Sequence, residues 1–211
     1  MRPLKGDFMP SLQAGPPPEI LSLASRRSGA AGSLVGQAAE IARAARAMAL
    51  RFHRRGKLIA FGSGAAATDA QHFTVEFLHP VIVGKRALPA LCLLADVATL
   101  SGAAEAEGWA EAFASPLRRI ARTVDIALAL SPRREPENVR RALHAARERG
   151  LLTVSLAGER EGPPVAVDHR VLLGAGDPLV TREIQMTACH LLWELVHVFL
   201  EQPQTLTRTE A

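Results

Sequence analysis

Apolar residues recur along 30–55 at an interval near 3.6: Leu34, Ala38, Ile41, Ala45, Met48 and Phe52, with arginines on the other side. This predicts a long N-terminal helix, and Gly56 follows it as a C-terminal cap would. From there the pattern alternates. Short, continuous apolar runs at 57–61, 88–95, 124–130, 151–156 and 169–173 predict five strands. Between them, helical patterns are predicted at 67–78, 109–121 and 137–149, and a long final helix at 179–200. Strands that are apolar throughout are covered on both faces. Alternation of strand and helix then predicts an α/β three-layer sandwich around a parallel five-stranded sheet, flavodoxin-like, plus the long N-terminal helix.

The boundaries follow from where the pattern fails. Residues 1–28 are rich in Gly and Pro and lack sustained periodicity, so they are expected to be a flexible arm. Residues 29–201 form the domain, and the polar stretch 202–211 is expected to be a frayed tail.

Composition narrows this picture. A chain of 211 residues, 48% hydrophobic and 22% charged, is globular and sized for one core. It has no Tyr, so Ala, Leu, Val and Ile must build that core. The net charge of +4 is spread along the chain without a basic stripe interleaved with aromatics, which argues against nucleic acid as a partner. Cys92 and Cys189 lie in apolar runs outside any CxxC, as expected for buried thiols in a reducing cytoplasm. No apolar run is long enough to span a membrane, and the N-terminus lacks the hydrophobic core of a cleaved leader.

Ligands of such folds bind at the carboxyl ends of the strands. Gly62-Ser63-Gly64-Ala65-Ala66-Ala67-Thr68-Asp69 follows a strand and opens a helix. It reads equally as an anion site, where free N–H groups and the helix dipole favour phosphate, or as a tight turn. His72 and Glu76, four apart, share a helix face. They read as an acid/base or metal pair, or as an ordinary surface pair. His190 in the apolar final helix reads as a catalyst or as a hydrogen-bonded core residue, with Glu183, Glu194 and His197 at spacings that would orient it.

These residues form a combination. The stretch from Gly62 to Glu76 resembles the GNGGSAxDAQHFxxE signature of phosphoheptose isomerases, members of the sugar-isomerase (SIS) domain family. Ala95-Asp96-Val97 resembles the family's SD(V/T) segment, and Thr181-Arg182-Glu183-Ile184-Gln185-Met186 through His190 resembles its RIQExHxxxxH helix. Order and spacing match over 30–200. The resemblance implies a SIS fold, a homo-oligomer (usually a tetramer with sites between subunits), and isomerisation of sedoheptulose 7-phosphate. The implied acid/base pair is Glu76 and His190. The implied substrate-binding positions are Gly62, Ser63, Gly64, Ala65, Ala66, Asp69, Asp96, Ser131 and Arg182, and Arg133 and Arg134 join them on their charge. Some members bind zinc through positions matching His72, Glu76, Arg182 and His190.

The chain also departs from that pattern. Ala66 stands where the family has Ser, and Ser63 where it has Asn. The family's STSGNS phosphate loop is here Ser131-Pro132-Arg133-Arg134-Glu135-Pro136, in which two prolines remove N–H donors. Arg133 and Arg134 either replace the hydroxyls electrostatically or are solvated surface charge. Arg182 replaces a neutral metal ligand with a cation, so no tightly bound zinc is expected, and Arg182 is expected to pair with a carboxylate, Glu76 being one candidate. The altered loops leave an alternative: a non-catalytic oligomeric scaffold with a protein partner, as in relatives that bind a bacterial replication-initiator protein.

Overall fold

The computed structural model describes residues 15–158, 165–202, 204 and 206. Its order is α1 (Pro18–His53), β1 (Leu58–Gly62), α2 (Ala66–Leu78), β2 (Ala90–Cys92), α3 (Val97–Glu107), a 3₁₀ turn (Trp109–Glu111), α4 (Ala114–Ile120), β3 (Ile126–Ser131), α5 (Glu137–Glu148), β4 (Leu152–Ala157), β5 (His169–Leu172) and α6 (Pro178–Glu201). The five strands pair in the order β2-β1-β3-β4-β5, all parallel. Chain direction across the sheet reverses between β1 and β3. Their carboxyl ends, at Gly62 and Ser131, therefore flank the crevice where such sheets take ligands.

Strand side chains alternate between two cores. Leu58, Ala60, Ile126, Leu128, Val154 and Leu156 face α1, α2 and α6. Ile59, Phe61, Ala127 and Ala129 face α4 and α5, where small alanines let α5 approach the sheet closely. This two-sided burial is why the strands read as unbroken apolar runs.

Several boundaries differ from the pattern. Helix α1 starts at Pro18, twelve residues before the predicted start at 30. Pro18 sits in the first turn, where its missing N–H costs nothing, and Glu19 complements the helix dipole. The early turns bury little, so no apolar stripe marks them. Ion pairs from Arg26 to Asp177 and Arg27 to Glu183 tie them to α6 instead. The part of the predicted arm at 1–14 lies outside the described residues.

Gly56 is not the left-handed cap; Arg55 takes the positive φ of 62°. Glycine is required at 56 because a Cβ there would lie 2.2 Å from the Val124 carbonyl oxygen. Helix α3 was not marked by the pattern, since it is alanine-rich and buries only Ala103. The predicted helix 109–121 is broken into the 3₁₀ turn and α4. Pro116 has no N–H for an upstream carbonyl and fits only the first turn of a helix. In the predicted tail, Leu206 is buried against the α1–α6 core, and Arg46 donates to its carbonyl.

Candidate functional site

Helices α2 and α6 lie side by side and run in the same direction, linked by rungs of polar side chains. Near the start of both, Arg182 Nε and Nη2 each hold an oxygen of Asp69 at 2.7 Å. Further along, Glu76 Oε1 lies 3.0 Å from His72 Nε2 and 3.0 Å from His190 Nε2. The rung is completed by Trp193 Nε1, which donates to the Glu76 carbonyl at 3.0 Å.

The spacing explains the convergence. His72 and Glu76 are one helical turn apart, so both face α6. His190 is on the matching face of α6, while its neighbour Cys189 points into the core, where burial raises the thiol pKa well above its usual value. The Glu76 side chain is 16% exposed, and those of His72 and His190 are 52% and 46% exposed. The group is thus open on the imidazole side and closed beneath the carboxylate. Ligand atoms of the three residues lie within 4.8 Å of one another.

The strand ends supply the rest. Gly64 takes φ +62°, turning the chain from β1 into α2, and Ala67 N–H bonds the Gly64 carbonyl at 3.0 Å. The first turn of α2 has no side-chain cap, and a helix start of this kind favours an anion. Ser63 Oγ accepts from Asn138 Nδ2 at 3.4 Å. Ser131, ending β3, is buried, and its Oγ makes no hydrogen bond among the described residues. Asp96 is the N-cap of α3: its carboxylate accepts from the Thr99 N–H and hydroxyl, which hold its pKa below the ordinary value.

The loop after β3 is pinned from below. Glu135 is 4% exposed and accepts from Ser155 Oγ and from Arg170 Nη1, each at 2.7 Å. Gln185 on α6 donates to the Ser131 carbonyl at 2.8 Å and the Leu156 carbonyl at 3.1 Å. Arg133 and Arg134 are exposed. Arg182 does pair with a carboxylate, but with Asp69 and not with Glu76, because Asp69 faces it across the first turns of the two helices. Two of the three suggested partners of His190 also lie elsewhere. Glu183 pairs with Arg27, and His197 is buried against Trp193 and Phe77.

Asn138 and Arg170 lie outside every motif, while Glu135 and Gln185 lie within the matched segments without a role that the pattern assigns. The usable signal was weak: Glu135 stood in a loop otherwise expected to hold anions, where a carboxylate needs a partner.

Comparison with known proteins bears on this arrangement. Residues 31–158 match the SIS domain model. A phosphoheptose isomerase of Solidesulfovibrio magneticus is 34% identical over 157 residues, spanning 74% of this chain and 77% of that protein. One from Desulfovibrio desulfuricans is 35% identical over 149 residues, 70% of each chain. Among solved structures, a phosphoheptose isomerase from Neisseria gonorrhoeae superposes with a TM-score of 0.76 at 22% identity, covering 88% of this chain and 99% of that one. Parallel sheet, strand order and family match agree, and the chain belongs to the SIS domain family.

Proposed function

We propose that this protein is an aldose–ketose isomerase acting on a sugar phosphate of the sedoheptulose 7-phosphate class, by proton transfer through an enediol. The observation that carries the reading is the half-closed Glu76 carboxylate, held between two imidazoles beside the crevice. Both imidazoles meet Oε1, and Oε2 is the oxygen assigned here to accept the substrate proton. Glu76 takes a proton from C1 of the ketose, and that C–H pair becomes the C1=C2 double bond. His190 gives a proton to the C2 oxygen, completing the enediol. Return of a proton to C2, with loss of the C1 hydroxyl proton, yields the aldose. The phosphoheptose isomerase relatives support the substrate class.

His72, Glu76 and His190 offer two imidazoles and a carboxylate, a donor set that fits a three-ligand zinc site. A zinc bound there would polarise the carbonyl oxygen. We propose that it is not held tightly, because the position matching the family's fourth ligand is Arg182, whose guanidinium is committed to Asp69. The altered loop at 131–136 favours the second reading, a non-catalytic scaffold with a protein partner. Exposed apolar residues beside the site (Val75, Leu78, Val81, Ile82 and Val83) support a homo-oligomer, which we place as a cytoplasmic tetramer. No described helix is long and apolar enough to cross a membrane.

The test is turnover of sedoheptulose 7-phosphate by wild type, Glu76→Gln and His190→Ala. Loss of about 10²–10⁴-fold in each variant, with folding intact, is expected for a missing acid or base. Unchanged turnover in either variant removes that residue from the mechanism. A wild type inert towards every sugar phosphate favours the scaffold.

A further inference from the structure

The crevice is short of donors for a phosphate. Ala66 has no hydroxyl, and Pro132 and Pro136 have no N–H. Beside the same turn the fold fixes a cation. Arg182 Nη2 reaches the Ala65 carbonyl at 3.1 Å and Thr68 Oγ1 at 3.4 Å, besides its bond to Asp69. Nε and Nη2 form the edge that Asp69 grips, and Nη1 makes no hydrogen bond among the described residues. A guanidinium held by Asp69 and the Ala65 carbonyl presents its Nη1 donors at a defined place, where a phosphate oxygen can accept from them.

Spacing points the same way. The Asp69–Arg182 and Glu76–His190 rungs are seven residues apart on α2 and eight on α6. At about 1.5 Å per residue the rungs are separated by roughly 11 Å. With carbon–carbon bonds of about 1.5 Å, an extended six- or seven-carbon ketose with a terminal phosphate spans that gap, and a triose phosphate falls short. The first-turn N–H groups of α2, 13 residues long, add partial positive charge at the same end.

We propose that Arg182, positioned by Asp69, binds the substrate phosphate in place of the missing hydroxyls and sets the preference for phosphorylated over neutral sugars. This rests on the isomerase reading for the identity of the substrate, but its test does not need turnover. Binding of inorganic phosphate, sedoheptulose 7-phosphate and sedoheptulose to the intact protein is measured by calorimetry. Wild type is compared with Arg182→Gln, Arg182→Lys and Asp69→Asn, each checked by circular dichroism.

Loss of a charge-assisted contact is expected to weaken both phosphorylated ligands on the order of ten- to a hundred-fold in Arg182→Gln. Arg182→Lys, which keeps charge without the fork, should lose less, as should Asp69→Asn, which frees the guanidinium. Binding of sedoheptulose should not follow this order. Equal phosphate affinity in wild type and Arg182→Gln overturns the proposal, as does wild type that binds neither phosphorylated ligand. Should Arg182→Gln fail to fold, phosphate affinity unchanged in both Arg182→Lys and Asp69→Asn overturns it as well. Arg182-dependent phosphate binding without turnover sinks only the isomerase reading. Turnover with phosphate affinity indifferent to residue 182 sinks only this proposal.

Discussion

At the scale of single residues, the fold places carboxylates where hydrogen bonds decide their state. Asp125, before β3, has a fully buried side chain. Burial pushes its pKa up, but hydrogen bonds from Lys57 Nζ and from the N–H groups of Arg122 (2.8 Å) and Lys57 (3.0 Å) outweigh that and hold it below the ordinary value. A carboxyl depressed in the folded state contributes stability above its unfolded pKa, near 4, and loses that contribution as pH falls through the folded value. Denaturant titrations of Asp125→Asn should show lower stability at pH 7, by about 2 kcal/mol or more, and a gap to wild type that narrows in acid. A gap independent of pH would show that packing, not charge, is what Asp125 contributes.

Among elements, α2 and α6 bring the chemistry together. The motif from Gly62 to Glu76 and the position of His190 were legible because local helix spacing sets their faces and family resemblance pairs them. What was not legible depended on contacts between distant segments. Periodicity found α2, α5 and α6, which bury a face, and missed α3 and the first turns of α1, which bury almost none. The choice of Asp69 over Glu76 by Arg182 needed the relative register of two helices, which no one-dimensional pattern contains. The same register bears on metal. Among the described residues zinc has three donors, and a cation, Arg182, stands where the family has a neutral fourth, so chelator dialysis is expected to remove the metal and leave turnover. Stoichiometric zinc that survives dialysis and is lost on His72→Ala would contradict the proposal of loose binding.

For the whole molecule, the sheet order puts the β1 and β3 ends beside the α2–α6 rungs, while the apolar surface of 75–83 stays uncovered next to them. A surface of that kind is expected to be covered by further copies. Light scattering at micromolar concentration should give about four times the 22.6 kDa chain mass. A monomeric mass would mean that the open site works, if at all, without a neighbour. In the proposed isomerisation, Glu76 exchanges a carbon-bound proton of the substrate. The most direct measurement is nuclear magnetic resonance of sedoheptulose 7-phosphate incubated with the protein in D₂O. Wild type should wash deuterium into the carbon beside the carbonyl, and Glu76→Gln should slow this by about 10²-fold or more. Exchange at the wild-type rate in Glu76→Gln, or wild type that neither exchanges nor turns over the sugar, would contradict the account.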